Sequence, residues 1–228
     1  MNAFMELKKF FKTDLINFAK QLNYSQFNVE LLSENKNECE KKINLFNIDG
    51  VQLKNILSCS QQKDGRSPLD FAKDIVANWI FEDYLIDYIK NDKFKIIAYG
   101  VDKERNFLHT MKIKYDSDYK IKYKEKTFLM ELSVNYLGYW QRENKLHLRC
   151  KKYDYLKRSN SLFLGIDMQN KKFILMDFAT NFNSIYIEPH PPWQKPAYEI
   201  NIHYKENAKH LSKDNLMNSI CNILDMRT

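Results

Sequence analysis

Between residues 4 and 22 the apolar side chains Phe4, Leu7, Phe10, Phe11, Leu15, Phe18, Ala19 and Leu22 recur at intervals of three and four. That is the period of an amphipathic helix. The pattern then weakens, predicting a short strand at 27–32 and a helix opening at Asp49 through "DGVQLKNILS". The polar stretch "SQQKDGRS" carries Asp-Gly and reads as a linker. Beyond it, Ser67 supplies a helix cap, Pro68 a first helical position and Asp70 a charge suited to the positive helix end. The helix predicted there runs to about residue 90. Next, "FKIIAYGV" at 94–101 is almost continuously apolar, as expected of a strand buried on both faces.

The stretch "YDSDYKIKYKEKTFLMELSVNY" at 115–136 reads as two strands around a tight turn, and "QRENK" after it as a polar loop. A helix comes next at about 148–158, then a buried strand "SLFLGID" at 161–167 and its hairpin partner "KFILMDF". The segment "EPHPPWQKP" is a rigid extended piece that braces the domain or meets a partner through Trp193. A capped helix, "SKDNLMNSICNIL", places Leu216, Ile220 and Ile223 at core spacing near the end. The order helix, strand, strand, strand, helix, strand predicts an α/β fold with a mixed central sheet flanked by helices.

The hairpin carries an acid on each arm. A turn centred on Lys124 and Glu125 puts Asp118 directly opposite Glu131 on one face, their β-carbons about 5 Å apart. Like charges so placed destabilise a strand pair unless a cation lies between them. Two hard oxygen ligands suit Mg2+ or Mn2+. The alternative is a pair of acids on a solvated strand face, and a slip of one residue would put the two on opposite faces.

Charge adds an anionic partner to this picture. Lys and Arg number 36 against 29 Asp and Glu, a net charge of +7, which suits nucleic acid and equally a merely lysine-rich surface. The densest basic run is "NYLGYWQRENKLHLRCKKYDYLKR". There Arg142, Lys145, Arg149, Lys151 and Lys152 are candidate phosphate contacts, and Tyr139 and Trp140 candidate stacking rings. The competing reading is a solvated helix with Tyr153 and Leu156 turned to the core. With only five glycines the chain holds neither GxGxxG nor GxxxxGK[ST]. Cys39, Cys59, Cys150 and Cys221 form no CxxC or Cys/His pair, which predicts reduced thiols in a cytoplasmic protein. A His147–Cys150 nucleophile pair rests on adjacency alone, and the histidines show no HExxH spacing. The start "MNAFMELKKFFKTDLINF" lacks the apolar core of a signal peptide, and no run approaches a membrane span.

The element order from 68 to 167, together with "SDY" at Asp118 and "ELS" at Glu131, resembles the PD-(D/E)XK nuclease superfamily, the restriction-endonuclease-like fold. The phrases "YGVDKERNFL" and "LRCKKYDYLKRSNSLFLGID" also resemble restriction and phage members. The resemblance implies an αβββαβ core and magnesium-dependent hydrolysis of a DNA phosphodiester, with Asp118 and Glu131 as metal ligands. It implies a third acid from the preceding helix, for which Glu82 is the candidate. It also calls for a lysine two residues after the glutamate, where this chain has Ser133. Either a lysine arrives from elsewhere, Lys120 or one from 145–152, or Ser133 holds a water in a site relying more on metal, or the site is dead.

The organisation expected is an N-terminal helical region at 1–66, a nuclease-like core at 67–180 and a C-terminal extension of strands and a helix at 181–228. The function expected is a metal-dependent DNA endonuclease of restriction or phage type, in which double-strand cutting calls for a homodimer. The alternative is a catalytically inactive nuclease-fold protein that binds nucleic acid or a protein partner.

Overall fold

The computed structural model describes residues 82, 85–86, 88–100, 116–135, 138–190 and 195–228. The predicted elements at 4–22, 27–32 and 49–58, the linker, most of the helix from Pro68, and Trp193 lie outside these residues. The chain divides into two compact units, Met1–Leu85 with Glu104–Ile113, and Ile86–Lys103 with Lys114–Thr228. Of the described residues, all but Glu82 and Leu85 belong to the second unit.

That unit is α/β, with a six-stranded mixed sheet and a smaller three-stranded one. In chain order its elements are β1 (Phe94–Ala98), β2 (Tyr119–Tyr123), β3 (Lys126–Asn135), α1 (Tyr139–Glu143), β4 (Lys145–Arg149), α2 (Cys150–Arg158), β5 (Leu162–Asp167), β6 (Lys172–Asp177), β7 (Ser184–His190), β8 (Lys195–Asn201), α3 (Tyr204–Asn207), β9 (Lys209–His210) and α4 (Lys213–Met226). The large sheet runs β1-β2-β3-β5-β6-β9, and the small one β4-β8-β7. Every neighbouring pair is antiparallel except β3 and β5, which are parallel. Parallel neighbours need a crossover, and here it is the segment α1-β4-α2.

Strand alternation decides which side chains meet which layer. Tyr119, Ile121 and Tyr123 of β2 and Phe128, Met130 and Leu132 of β3 are all buried on one face. The C-terminal segment closes over the hairpin's turn end: Tyr123 Oη donates to Asp225 Oδ1 at 2.7 Å, and Lys126 Nζ donates to the carbonyls of Arg227 and Thr228. Helix α4 starts at Ser212, whose side chain accepts from the Asn215 amide at 3.3 Å. Its Leu216, Ile220 and Leu224 are buried, while Ile223 is half-buried. On the opposite face a second core gathers Trp140, Leu146, Leu148, Leu156, Phe163, Ile174, Met176, Phe178 and Ile200. Between the two layers every residue of β5 is buried, as its unbroken apolar run predicts.

Three expectations need correction. Strand β1 is an edge strand with only Phe94 fully buried, since Lys95 and Ala98 are exposed. It stands at one end of the sheet order, paired with β2, and Lys95 interrupts its apolar run. The residues "QRENK" are not a loop but the end of helix α1 and the first residue of β4. Gly138 and Asn144, both left-handed with φ of 62° and 57°, bracket that single turn. Helix α2 begins at Cys150, not near 148, because Leu146 and Leu148 alternate with Lys145, His147 and Arg149 at the period of a strand.

Candidate functional site

The β2–β3 ladder pairs Tyr119 with Met130 and Tyr123 with Lys126, around a turn in which Lys124 has φ of 50°. This is the register that the hairpin pattern predicts. Continued by one residue, it sets Asp118 opposite Glu131 on the face that carries Lys120 and Ser133. The two carboxyls stand within hydrogen-bonding reach of each other. Burial, and then the charge of Asp118, push the Glu131 carboxyl well above the usual carboxylate range, while Lys152 opposes them.

Lys152 enters from α2. Its Nζ lies 2.6 Å from Glu131 Oε2, with both side chains largely covered, 18% and 12% exposed. The pair is close but off-axis, so Oε2 has a charge beside it and no well-directed hydrogen bond. Lys152 Nζ also donates to the Asp116 carbonyl at 2.9 Å, tying α2 to the segment that bears Asp118.

Several backbone contacts fix Asp118. Its Oδ2 accepts from the Leu132 amide at 2.9 Å, and its carbonyl accepts from the Tyr99 amide at 2.7 Å. The neighbouring Ser117 is fully buried and shares a 3.0 Å hydrogen bond with Ser161, just before β5. Gly100, at φ of 75°, passes so near that a Cβ there would stand 2.8 Å from the Ser117 carbonyl oxygen. Asp118, just before β2, Glu131 of β3 and Lys152 of α2 therefore come from three segments, braced by contacts from two others, Tyr99–Gly100 and Ser161.

The two carboxyls present hard oxygen atoms of the kind that divalent cations take as ligands. Among the described residues no group of three or more His, Cys, Asp or Glu side chains is gathered for a metal. Mg2+, however, is commonly held by one or two carboxylates, with waters and substrate phosphates filling its other positions. The raised affinity of Glu131 for a proton comes first from its burial and second from Asp118 beside it.

Other predicted residues have different surroundings. Lys120 stacks its Nζ 3.8 Å from the centre of the Tyr99 ring. Ser133 is half-buried opposite Gly165 of β5. Glu82 is helical and half-buried, in the other unit of the chain. Trp140 is no stacking platform: it is 5% exposed, its ring packed where any Cβ on Gly165 would stand, 2.7 Å away. Two lysines of the basic run are paired with acids. Lys145 pairs with Glu199 at 2.8 Å, and Lys152 with Glu131. Arg142, Arg149 and Lys151 are exposed on α1, β4 and α2.

A second polar cluster, centred on His147, is not predicted by the sequence. His147 Nε2 meets Glu199 Oε2 at 3.1 Å, while its Nδ1 lies 2.8 Å from His190 Nε2 and 3.2 Å from the hydroxyl of Tyr139. Burial, and then the neighbouring His147, lower the His190 pKa. Burial pushes Glu199 upward, but the hydrogen bonds from Lys145 and His147 outweigh it and hold that carboxyl below its usual range. The cluster joins β4, β7 and β8 to α1, and His147 turns to these groups, not to Cys150. Burial raises the Cys150 thiol, the reverse of an activated nucleophile. Positions 147, 190 and 199 have no common spacing, so only the β4-β8-β7 pairing unites them.

No family model matches the chain, and no curated protein matches it. Among the described residues, no helix is long and apolar enough to cross a membrane.

Proposed function

We propose that this chain is a metal-dependent nuclease on a restriction-endonuclease-like core, with DNA as its substrate and Mg2+ or Mn2+ as its cofactor. One observation carries the reading: Asp118, Glu131 and the Lys152 ammonium meet at the open end of the β2–β3 hairpin, although 34 positions separate the first from the last. The order of three strands, a crossover of helix, strand and helix, and a further strand, with β3 parallel to β5, supports it. So does a net charge of +7.

Asp118 and Glu131 would hold the cation. A divalent ion bound there supplies Lewis-acid polarisation of the scissile phosphate and lowers the pKa of the attacking water. Lys152 stands in for the lysine that Ser133 replaces. Its position beside Glu131 puts a fixed positive charge where negative charge develops on the phosphate, and such a preorganised donor contributes most in a covered site. The hydrogen bond from the Leu132 amide holds Asp118 aimed at the same point.

The experiment is incubation of purified protein with supercoiled plasmid and Mg2+ or Mn2+, beside Glu131→Ala and an EDTA control. Cutting by the wild type alone is the expected result, with linear product if paired sites act together and nicked product if single sites act. Salt-sensitive DNA binding without any cutting would make the protein a binder on a nuclease fold. Cutting that survives Glu131→Ala would remove Glu131 from the chemistry.

A further inference from the structure

A second like-charged pair lies toward the turn end of the same hairpin. The β1–β2 register sets Lys95 directly opposite Lys122, both exposed. Among the described residues neither lysine is in an ion pair. Like charges in that position destabilise a sheet, so the pair mirrors the acids and calls for an anion where they call for a cation. The two lysines line a cleft of about 550 Å³ together with Lys90, Lys93, Lys124 and the single acid Asp92. Of these, Lys124 is committed to Asp225 at 2.8 Å. The rest leave a concave surface with a clear excess of positive charge.

The cleft is continuous in register with the acids. Lys122 and Lys120 share one face of β2, and Asp118 is the next residue on that face. Antiparallel strands rise so that alternate residues are about 7 Å apart, comparable with the spacing of successive phosphates along an extended nucleic-acid strand. The Lys120 ammonium already rests on the Tyr99 ring, an aromatic face at the same level as Asp118.

We infer that the β1–β2 face is a track for one extended single strand of nucleic acid, with a phosphate at Asp118–Glu131, the next at Lys120 and the one after at the Lys95–Lys122 pair. This inference rests on the nuclease reading of the carboxylate pair. A duplex fits the file of charges poorly, because the phosphates of a wound strand turn away from a flat β-strand within a few steps. The substrate class is therefore DNA with a single-stranded or locally unpaired arm beside the cut.

The test uses the full chain in EDTA, so that binding is read without cutting. A fluorescein-labelled 20-mer of thymidylate and a duplex of equal length are titrated by anisotropy between about 50 and 200 mM salt. The wild type is expected to bind the single strand more tightly. For Lys95→Gln/Lys122→Gln, two exposed changes, the expected result is weaker binding and a log–log salt slope smaller by about 0.7, for the one phosphate that the pair neutralises. An unchanged slope in a variant that keeps the wild-type Tm overturns the track. Preference for the duplex overturns it too, as does binding to phosphatidylserine vesicles without binding to the oligonucleotide. The two proposals fail separately: cutting that survives Glu131→Ala sinks the reading of the carboxylate pair as the cutting site, whereas cutting lost in that variant with the double-lysine slope unchanged sinks the track alone.

Discussion

Glu131 and Lys152 are chemically dependent on each other. The carboxyl is largely covered and faces Asp118, so without a cation it would hold a proton more tightly than any solvated glutamate. The Lys152 ammonium, 2.6 Å away, offsets part of that penalty and is in turn fixed by the Asp116 carbonyl. Lys152→Ala is expected to slow metal-dependent cutting by about 100- to 1,000-fold, the usual cost of removing one preorganised charge-stabilising donor. Position 133 shares the face of Glu131, so Ser133→Lys in the Lys152→Ala background is expected to recover part of the rate. Initial rates on plasmid check both. Full activity in Lys152→Ala would show that the ammonium only neutralises Glu131, and no recovery in the double variant would show that its approach from α2 matters. Asp118 and Glu131 can be paired from sequence because a two-residue turn fixes register. Lys152 can only be narrowed to a run of basic residues, since nothing local says which lysine of a helix turns inward.

The elements differ in how much their own sequence specifies. Hairpin β2–β3, the β5–β6 pair and the Ser212-capped helix α4 each come from a local pattern: a tight turn, an unbroken apolar run, a cap before a 3.6-residue period. Strand β4 is also visible in "KLHLR", but the surrounding basic run suggests a helix. Strand β1 looks like an interior strand because its alternation is weak, and its edge position comes from the sheet order. Where α1 crosses β5, fit depends on Gly165: a Cβ would lie 2.7 Å from both Trp140 Cζ3 and Ile174 Cγ1. Gly165→Ala is therefore expected to cost about 1–3 kcal/mol, as overpacked cores do. Urea unfolding monitored by tryptophan fluorescence checks this, and an unshifted midpoint would mean that Trp140 moves aside without cost.

At the scale of the whole molecule, the carboxylate pair bears on stability as well as chemistry. Glu131 has a raised pKa in the folded protein, so over the interval between its ordinary value and the raised one the unfolded chain ionises while the folded protein keeps its proton. The stability contributed by the protonated form is present at low pH and is lost as pH rises through that interval. Glu131→Gln removes the titration. It is expected to melt above the wild type at pH 7, by about 2–4 °C for each kcal/mol of relieved charge burial and repulsion in a chain of this size, and the gap is expected to shrink toward pH 4. Thermal unfolding at both pH values is the measurement. A Tm for Glu131→Gln at or below the wild type at pH 7 would show that the ion pair with Lys152 outweighs both the burial of the charge and the repulsion from Asp118. A gain would mark the site as one held at a cost to stability, as functional sites often are.

The sequence by itself determined the α/β class, the register that sets Asp118 against Glu131, the fully buried β5 and the closing helix α4, because each depends on a period or a turn spanning a few residues. The tertiary structure alone decided that Lys152 of α2 reaches Glu131, that Trp140 fills the core above Gly165, and that His147, His190 and Glu199 meet. It also decided that Lys95 and Lys122 face each other across an edge. Each of these joins residues from separate segments, and such a meeting is fixed by strand order and helix packing, for which no local pattern in the chain is a sufficient cause.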